Sequence, residues 1–202
     1  SLVSSLIDNN RIVIYDNFMR NSLKDKKLND HSNLTIIEGD ILDYEYLSKS
    51  MIDSEIIIHC AAIAGIDTVI KDPVLTMKVN MVGSANILEA ASYLKKLERL
   101  VCFSTSEVFG QQSFRSDEAD NTIMGKVGEA RWTYAVSKLA IEHLAIAHFQ
   151  ERSLPVSVVR PFNVYGPGQV GEGALKTFII RSLVNKPIEI HGDGTQIRAW
   201  CY

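Results

Sequence analysis

Short β-branched apolar runs recur along this chain with amphipathic stretches between them, and that alternation limits the folds open to it. Arg11-Ile-Val-Ile-Tyr15, Leu34-Thr-Ile-Ile-Glu38, Glu55-Ile-Ile-Ile-His59, Leu100 to Phe103 and Val156 to Val159 read as strands. Leu47 to Met51, Val74 to Leu94 and Tyr134 to Gln150 carry helical periodicity. Strands this apolar need cover on both faces, and interleaved helices supply it. The pattern therefore predicts an α/β chain with a doubly wound parallel sheet.

Composition removes several function classes. The 202 residues, 46% hydrophobic and 22% charged, suffice for one core or a domain and a half. Net charge is −3, and Lys24-Asp-Lys26-Lys27 is interleaved with acid, so nucleic acid is not an expected partner. Cys60, Cys102 and Cys201 are odd in number, widely spaced and flanked by apolar residues. They read as reduced core thiols of a cytoplasmic protein, without metal-binding spacing. The longest apolar stretch, Ile56 to Ile66, is interrupted by His59 and too short to span a bilayer. With no signal peptide read, no membrane partner is expected.

Residues 1–8 read as a helix running straight into a buried-type strand. A dinucleotide-binding fold opens with a strand and a glycine-rich phosphate loop ahead of such a helix. That first strand and loop are expected to lie outside these residues. Arg198-Ala-Trp-Cys-Tyr202 reads as a strand cut short. The expected organisation is a cofactor domain over 1–165, lacking its first strand, and the beginning of a substrate-binding region over 166–202.

The chemistry gathers at the ends of the strands. Tyr134 and Lys138 are four apart and share one helix face. An ammonium beside a phenol favours the phenolate and lowers its pKa toward that of a general base. Thr105-Ser106-Glu107 ends the strand before that helix, and its hydroxyls can hold a substrate hydroxyl against the phenol. The pair then takes a proton from an alcohol while a nicotinamide takes the hydride. Asp16, directly after a strand and followed by Asn17, can accept from both hydroxyls of an adenosine ribose and repel a 2′-phosphate, although nearby Arg20 leaves an NADP reading open. Asp40, followed by Ile41, ends the next strand and can bind the adenine amino group. Ala61 and Ala62 allow close approach of a cofactor, while His59 reads as a satisfied core histidine. Asn80 is unfavourable inside a helix, which predicts a hydrogen bond to the active-site backbone. Pro161, Asn163 and Val164 should lie across the nicotinamide end, with Asn163 donating to a substrate phosphate, and Arg198 follows a turn as a diphosphate clamp.

Together these blocks resemble the extended short-chain dehydrogenase/reductase superfamily, in its nucleotide-sugar epimerase/dehydratase branch. The match runs through Tyr15-Asp-Asn17, Glu38-Gly-Asp-Ile41, His59-Cys-Ala-Ala62, Asn80, Ser104-Thr-Ser-Glu-Val-Phe-Gly110, Tyr134-x-x-Ser137-Lys138, Arg160-Pro-Phe-Asn-Val-Tyr-Gly-Pro167 and Gly192-Asp-Gly-Thr-Gln-x-Arg198. The resemblance implies a Rossmann-like domain and tightly bound NAD that oxidises an NDP-sugar at C4. It implies Tyr134 as base, Lys138 on the nicotinamide ribose, and Thr105 or Ser106 on the 4-hydroxyl. It extends the cofactor contacts to Asp16, Asn17, Asp40, Ile41, Ala61, Ala62, Asn80, Ser104, Pro161 and Val164. Ser106 stands where 4,6-dehydratases carry an aspartic acid, which disfavours dehydration. The Thr-Ser-Glu order is similar to UDP-glucuronate decarboxylases and occurs also in 4-epimerases. An epimerase is expected ahead of a decarboxylase, with a non-catalytic remnant of the fold as the contrasting class. A homodimer is expected.

Overall fold

The computed structural model describes residues 2–20, 23, 27–111, 115–169, 173–190 and 192–202. Lys24 and Lys26 of the mixed-charge loop lie outside them. The chain divides into two compact units, Ser1–Arg160 and Pro161–Tyr202.

In the first unit, helix α1 (Leu2–Leu6) leads into β1 (Ile12–Asp16), which pairs in parallel with β2 (Leu34–Glu38). Helix α2 (Tyr44–Met51) follows, capped by the Asp43 carboxylate, which accepts from the Tyr46 amide at 3.1 Å. Then come β3 (Ile56–His59), α3 (Ile66–Lys71) and α4 (Pro73–Met77). A π-helical turn (Lys78–Gly83) joins α4 to α5 (Ser84–Ala91). Strand β4 (Arg99–Phe103), a 3₁₀ turn (Ser106–Phe109), α6 (Thr133–Arg152) and β5 (Val156–Val159) complete the unit. Helix α6 ends at Ser153 in the left-handed conformation, its amide donating to the Phe149 carbonyl.

All ladders are parallel, with β4 between β3 and β5. The core is the layer between this sheet and its helices: Leu88 of α5, Leu100 and Cys102 of β4, Ala145 of α6 and Leu154, joined by Leu47 and Met51 of α2. Gly83 matters here, because a Cβ at this position would collide with the Ile41 side chain, which packs over it.

The sheet is not continuous. Strands β1 and β2 form one ladder and β3, β4 and β5 another, and among the described residues neither β1 nor β3 pairs along its second edge. Val13 and Ile56 are correspondingly half exposed or more. The expected helix from Val74 to Leu94 is divided by the π turn. Of the cysteines, Cys102 alone is a core thiol, while Cys60 and Cys201 are exposed. Apolar neighbours in sequence do not bury a residue that closes a strand or a chain segment.

In the second unit, β6 (Asn163–Val164) and β7 (Trp200–Cys201) pair in parallel, and Tyr165 sets its ring edge-on to Trp200 and Tyr202. Helix α7 (Ala174–Leu183) lies between them in sequence. No helix of the described residues is long and apolar enough to cross a membrane.

Candidate active site

Parallel strands deliver their carboxyl ends to one edge, and the first unit places its reactive side chains there. Thr105 caps the 3₁₀ turn after β4, its hydroxyl accepting from the Glu107 amide at 3.3 Å. That hydroxyl also lies near enough to the Tyr134 phenol to lower its pKa. The structure thus brings Thr105 and Tyr134 together, as the spacing predicted. Ser106 opens the turn half-buried, and Glu107 is exposed. Gly110 closes it at φ +86°, where an added Cβ would run into the Ile123 backbone.

Lys138 is 2% exposed. Its Nζ donates to the Phe103 carbonyl at 2.7 Å and lies 6.0 Å from the centre of the Tyr134 ring. Burial pushes its pKa down to about 8. The expected lowering of the Tyr134 pKa by this ammonium is not what the structure has. Burial first, then the Glu107 carboxylate, push the phenol up to about 12, against the Thr105 hydroxyl. The ammonium is held by a backbone carbonyl, and the apolar surroundings that lower Lys138 raise Tyr134.

Behind this pair lies a wholly buried polar cluster. Asn80, 0% exposed, accepts from the Ile63 amide at 2.8 Å. It donates to the Ile63 carbonyl and to the Ser137 hydroxyl, both at 3.1 Å. Ser137 in turn donates to the Tyr134 carbonyl at 2.7 Å. The hydrogen bond expected of Asn80 is present. Every polar atom of its side chain is spent on protein, so it supports the loop after β3 from behind. Ile41 is likewise a core residue, and its carbonyl accepts from Asn86 at 2.9 Å.

His59 donates or accepts through Nε2 with Ser84 at 2.7 Å, but its buried Nδ1 has no partner. Its expected status as a satisfied core histidine is therefore only half met. Burial, then the nearby Lys138 charge, push its pKa down to about 3, so the ring is neutral. The buried hydroxyl of Ser104, one residue past β4, is also unpartnered.

Asp16 is exposed, with one carboxylate oxygen accepting from the Phe18 amide at 2.7 Å. Asn17 makes the same kind of turn to Met19 at 3.2 Å. Arg20 is drawn to the Ala64 carbonyl at 2.6 Å. Asp40 is exposed and accepts from the Leu42 amide at 2.9 Å. Ala61 and Ala62 are half-buried after β3. Small residues, exposed carboxylates at the ends of β1 and β2, and the unpartnered Ser104 hydroxyl fit a dinucleotide at this edge.

Pro161, Asn163, Val164 and Arg198 belong to the second unit. Asn163 donates to the Ala199 carbonyl at 2.8 Å, a use the phosphate expectation did not include. Arg198 is exposed and donates to the Ile197 carbonyl at 3.2 Å. A literal G-x-G-x-x-G does run from Gly166 to Gly171, but it follows a two-residue exposed strand and contains Pro167. The sequence reading missed Ser137 as a bridge and the paired Glu142 and Arg160, whose signal was the four-residue spacing of Tyr134, Lys138 and Glu142.

Residues 2–202 match the family described as NAD dependent epimerase/dehydratase family. The chain is 32% identical over 195 residues to a UDP-N-acetyl-alpha-D-glucosaminuronate decarboxylase from Bacillus cytotoxicus, covering 95% of this chain and 59% of the relative. Its fold is similar to a UDP-glucuronic acid 4-epimerase from Bacillus cereus, solved in complex with UDP-glucuronic acid and NAD. The TM-score is 0.87 at 31% identity, over 100% of this chain and 64% of the other. A UDP-N-acetylglucosamine 4-epimerase from Methanobrevibacter ruminantium M1 gives 0.88 at 27% identity, with the same coverage of 100% and 64%. The chain therefore spans about three-fifths of the length of these relatives. With its parallel sheet, its helical Tyr134–Lys138 pair and a match along nearly its whole length, the chain belongs to the NAD-dependent epimerase/dehydratase family.

Proposed function

We propose that these residues form the cofactor side of a nucleotide-sugar 4-epimerase. The observation that carries the reading is the Tyr134 phenol near the Thr105 hydroxyl, with buried Lys138 6.0 Å from its ring on the same helix face, beside a serine rather than a carboxylic acid at 106. The bound nicotinamide cofactor would supply the hydride acceptor at C4 and return the hydride. Thr105 binds the 4-hydroxyl, and Tyr134 holds and moves its proton. With its pKa held high, Tyr134 must first give its own proton to solvent, which the positive charge of a bound oxidised cofactor would favour. It then takes the 4-hydroxyl's proton and returns it when the hydride comes back. Asp16 and Asp40 bind the adenosine, Ala61, Ala62 and Ser104 line the cofactor path, and Lys138 holds the nicotinamide ribose. Arg198 is the candidate diphosphate contact on the second unit. The expectation that Asn163 does the same is weakened by its bond to Ala199.

A decarboxylase is the second reading, favoured by the Thr105-Ser106-Glu107 order and by the relative of that activity at 32% identity. A 6-carboxylate β to a C4 ketone leaves as carbon dioxide, and C5 then needs a proton. The full-length enzyme, given UDP-, dTDP-, GDP- and CDP-hexoses and hexuronic acids with mass and stereochemical readout, separates the two. Inverted C4 without mass change supports the epimerase, and loss of carbon dioxide overturns it. Exposed apolar side chains on the π turn and α6, among them Val82, Ile146 and Phe149, support a homodimer, which light scattering of the full-length protein tests.

A further inference from the structure

Tyr134, Lys138 and Glu142 follow one another at intervals of four along α6 and lie on one face. The first two reach the end of β4. The third is buried, its side chain 11% exposed, and a buried carboxylate needs a partner. That partner is Arg160, the residue that closes the first unit. Its Nε donates to Oε1 at 3.0 Å and its Nη2 to Oε2 at 2.7 Å, a two-pronged engagement that only a guanidinium makes. The same side chain does more. Its Nη1 donates to the Glu118 carbonyl at 3.4 Å, and its Cζ lies 4.8 Å from the centre of the Phe109 ring.

Phe109 is the last residue of the 3₁₀ turn that Thr105 caps. The turn is short and its first-turn hydrogen bonds are few, so its position relative to α6 must come from tertiary contacts. One is the bond from the Thr122 hydroxyl to the Val108 carbonyl. Another is the Arg160 guanidinium over the Phe109 ring. Glu142 thus fixes Arg160 to the helix that carries the phenol, and Arg160 fixes the turn that carries the hydroxyl facing it. Neither residue touches the Tyr134–Thr105 pair, and nothing in the proposed chemistry requires them.

We propose that the Glu142–Arg160 pair is a positioning device that holds the Ser106–Phe109 turn, and with it Thr105, in register with Tyr134 for proton transfer. The proposal rests on the reading of Tyr134 as the proton-handling group. The groups facing Tyr134 are Thr105 and Glu107 from the turn and Lys138 from its own helix. The turn carries both Glu107, which raises the phenol's pKa, and Thr105, which lowers it, so loosening the turn changes the pH at which Tyr134 exchanges its proton.

The test compares the full-length enzyme with Arg160→Lys, which keeps the charge but loses the fork. It adds the double variant Glu142→Leu/Arg160→Met, which removes both charges at similar volume and should keep the fold. Misplacement of a reacting group by about an ångström costs up to about a hundredfold, so kcat should fall about ten- to a hundredfold in both. Affinity for the dinucleotide, by calorimetry, should be unchanged, and the pH profile of kcat should shift. Parental kcat and pH profile in the folded double variant would overturn the proposal. Tyr134→Phe serves as the control. If it is active, the reading of Tyr134 fails first. If it is inactive while the double variant behaves as the parent, the positioning role alone fails.

Discussion

Removing the Asn80 side chain should be among the most damaging single changes in the first unit. In Asn80→Ala the Ile63 amide and carbonyl and the Ser137 hydroxyl all lose a partner at a site with no solvent exposure. Ser137 still donates to the Tyr134 carbonyl, so the groups left stranded are the two backbone atoms of Ile63. A buried polar group without a partner costs about 1–3 kcal/mol, so two give about 2–6 kcal/mol. Against a total of about 5–15 kcal/mol that is a large fraction. Asn80→Asp is the diagnostic companion. It keeps an acceptor for the Ile63 amide but turns its second oxygen toward the Ile63 carbonyl, where an ionised acid cannot donate. The folded state should therefore hold the proton and raise the aspartate's pKa. Below that raised pKa the folded chain binds the extra proton, so the variant should recover stability on acidification and lose it toward neutral pH. Urea denaturation of the full-length protein at several pH values reads both, as shifts in midpoint at unchanged slope. Because Ile63 follows Ala61-Ala62, dinucleotide affinity should weaken in parallel. Asn80→Ala within about 0.5 kcal/mol of the parent would show that Ile63 finds other partners and that the cluster is dispensable.

Tyr134→Phe should keep the fold and lower turnover by about two to four orders of magnitude, read in a steady-state assay. Asp16 should make NAD bind far more tightly than NADP, and equal affinities in a calorimetric titration would refute the ribose role. Burial lowers Lys138 from 10.5 to about 8, worth about 3 kcal/mol against the charged form. Between those pH values the unfolded lysine keeps a proton that the folded one has shed, so the parent gains stability as pH rises. The stability of Lys138→Met relative to the parent should accordingly fall across that window in cofactor-free protein, and a pH-independent difference in urea midpoint would contradict it. Glu107→Gln should retain most activity in an epimerase, whereas in a decarboxylase it should stall product formation after oxidation, as followed by mass.

Much of the architecture is legible in the sequence because strand and helix periods are local. Five β-branched apolar runs sit within a residue of the observed β1 to β5, and the interval of four that joins Tyr134 to Lys138 needs no more than one turn of α6. Chemistry legible from residue type, a phenol near hydroxyls and a lysine, follows from the same short range. Burial and partnership do not. Lys138 meets the Phe103 carbonyl across 35 residues, and Asn80 meets Ser137 across 57. The sign of the Tyr134 shift depends on how much water those contacts exclude, which no spacing encodes. The π turn over Lys78–Gly83 divides a stretch that reads as one helix, and it sits where Asn80 is turned wholly inward. Arg160 and Glu142, 18 residues apart in sequence, become a largely buried pair only when α6 and β5 pack together. The sequence by itself determined which elements form and which groups could react. Tertiary packing decided which of those groups are desolvated, which are spent on the backbone, and which remain for a ligand, because desolvation and hydrogen-bond satisfaction depend on neighbours far away in the chain.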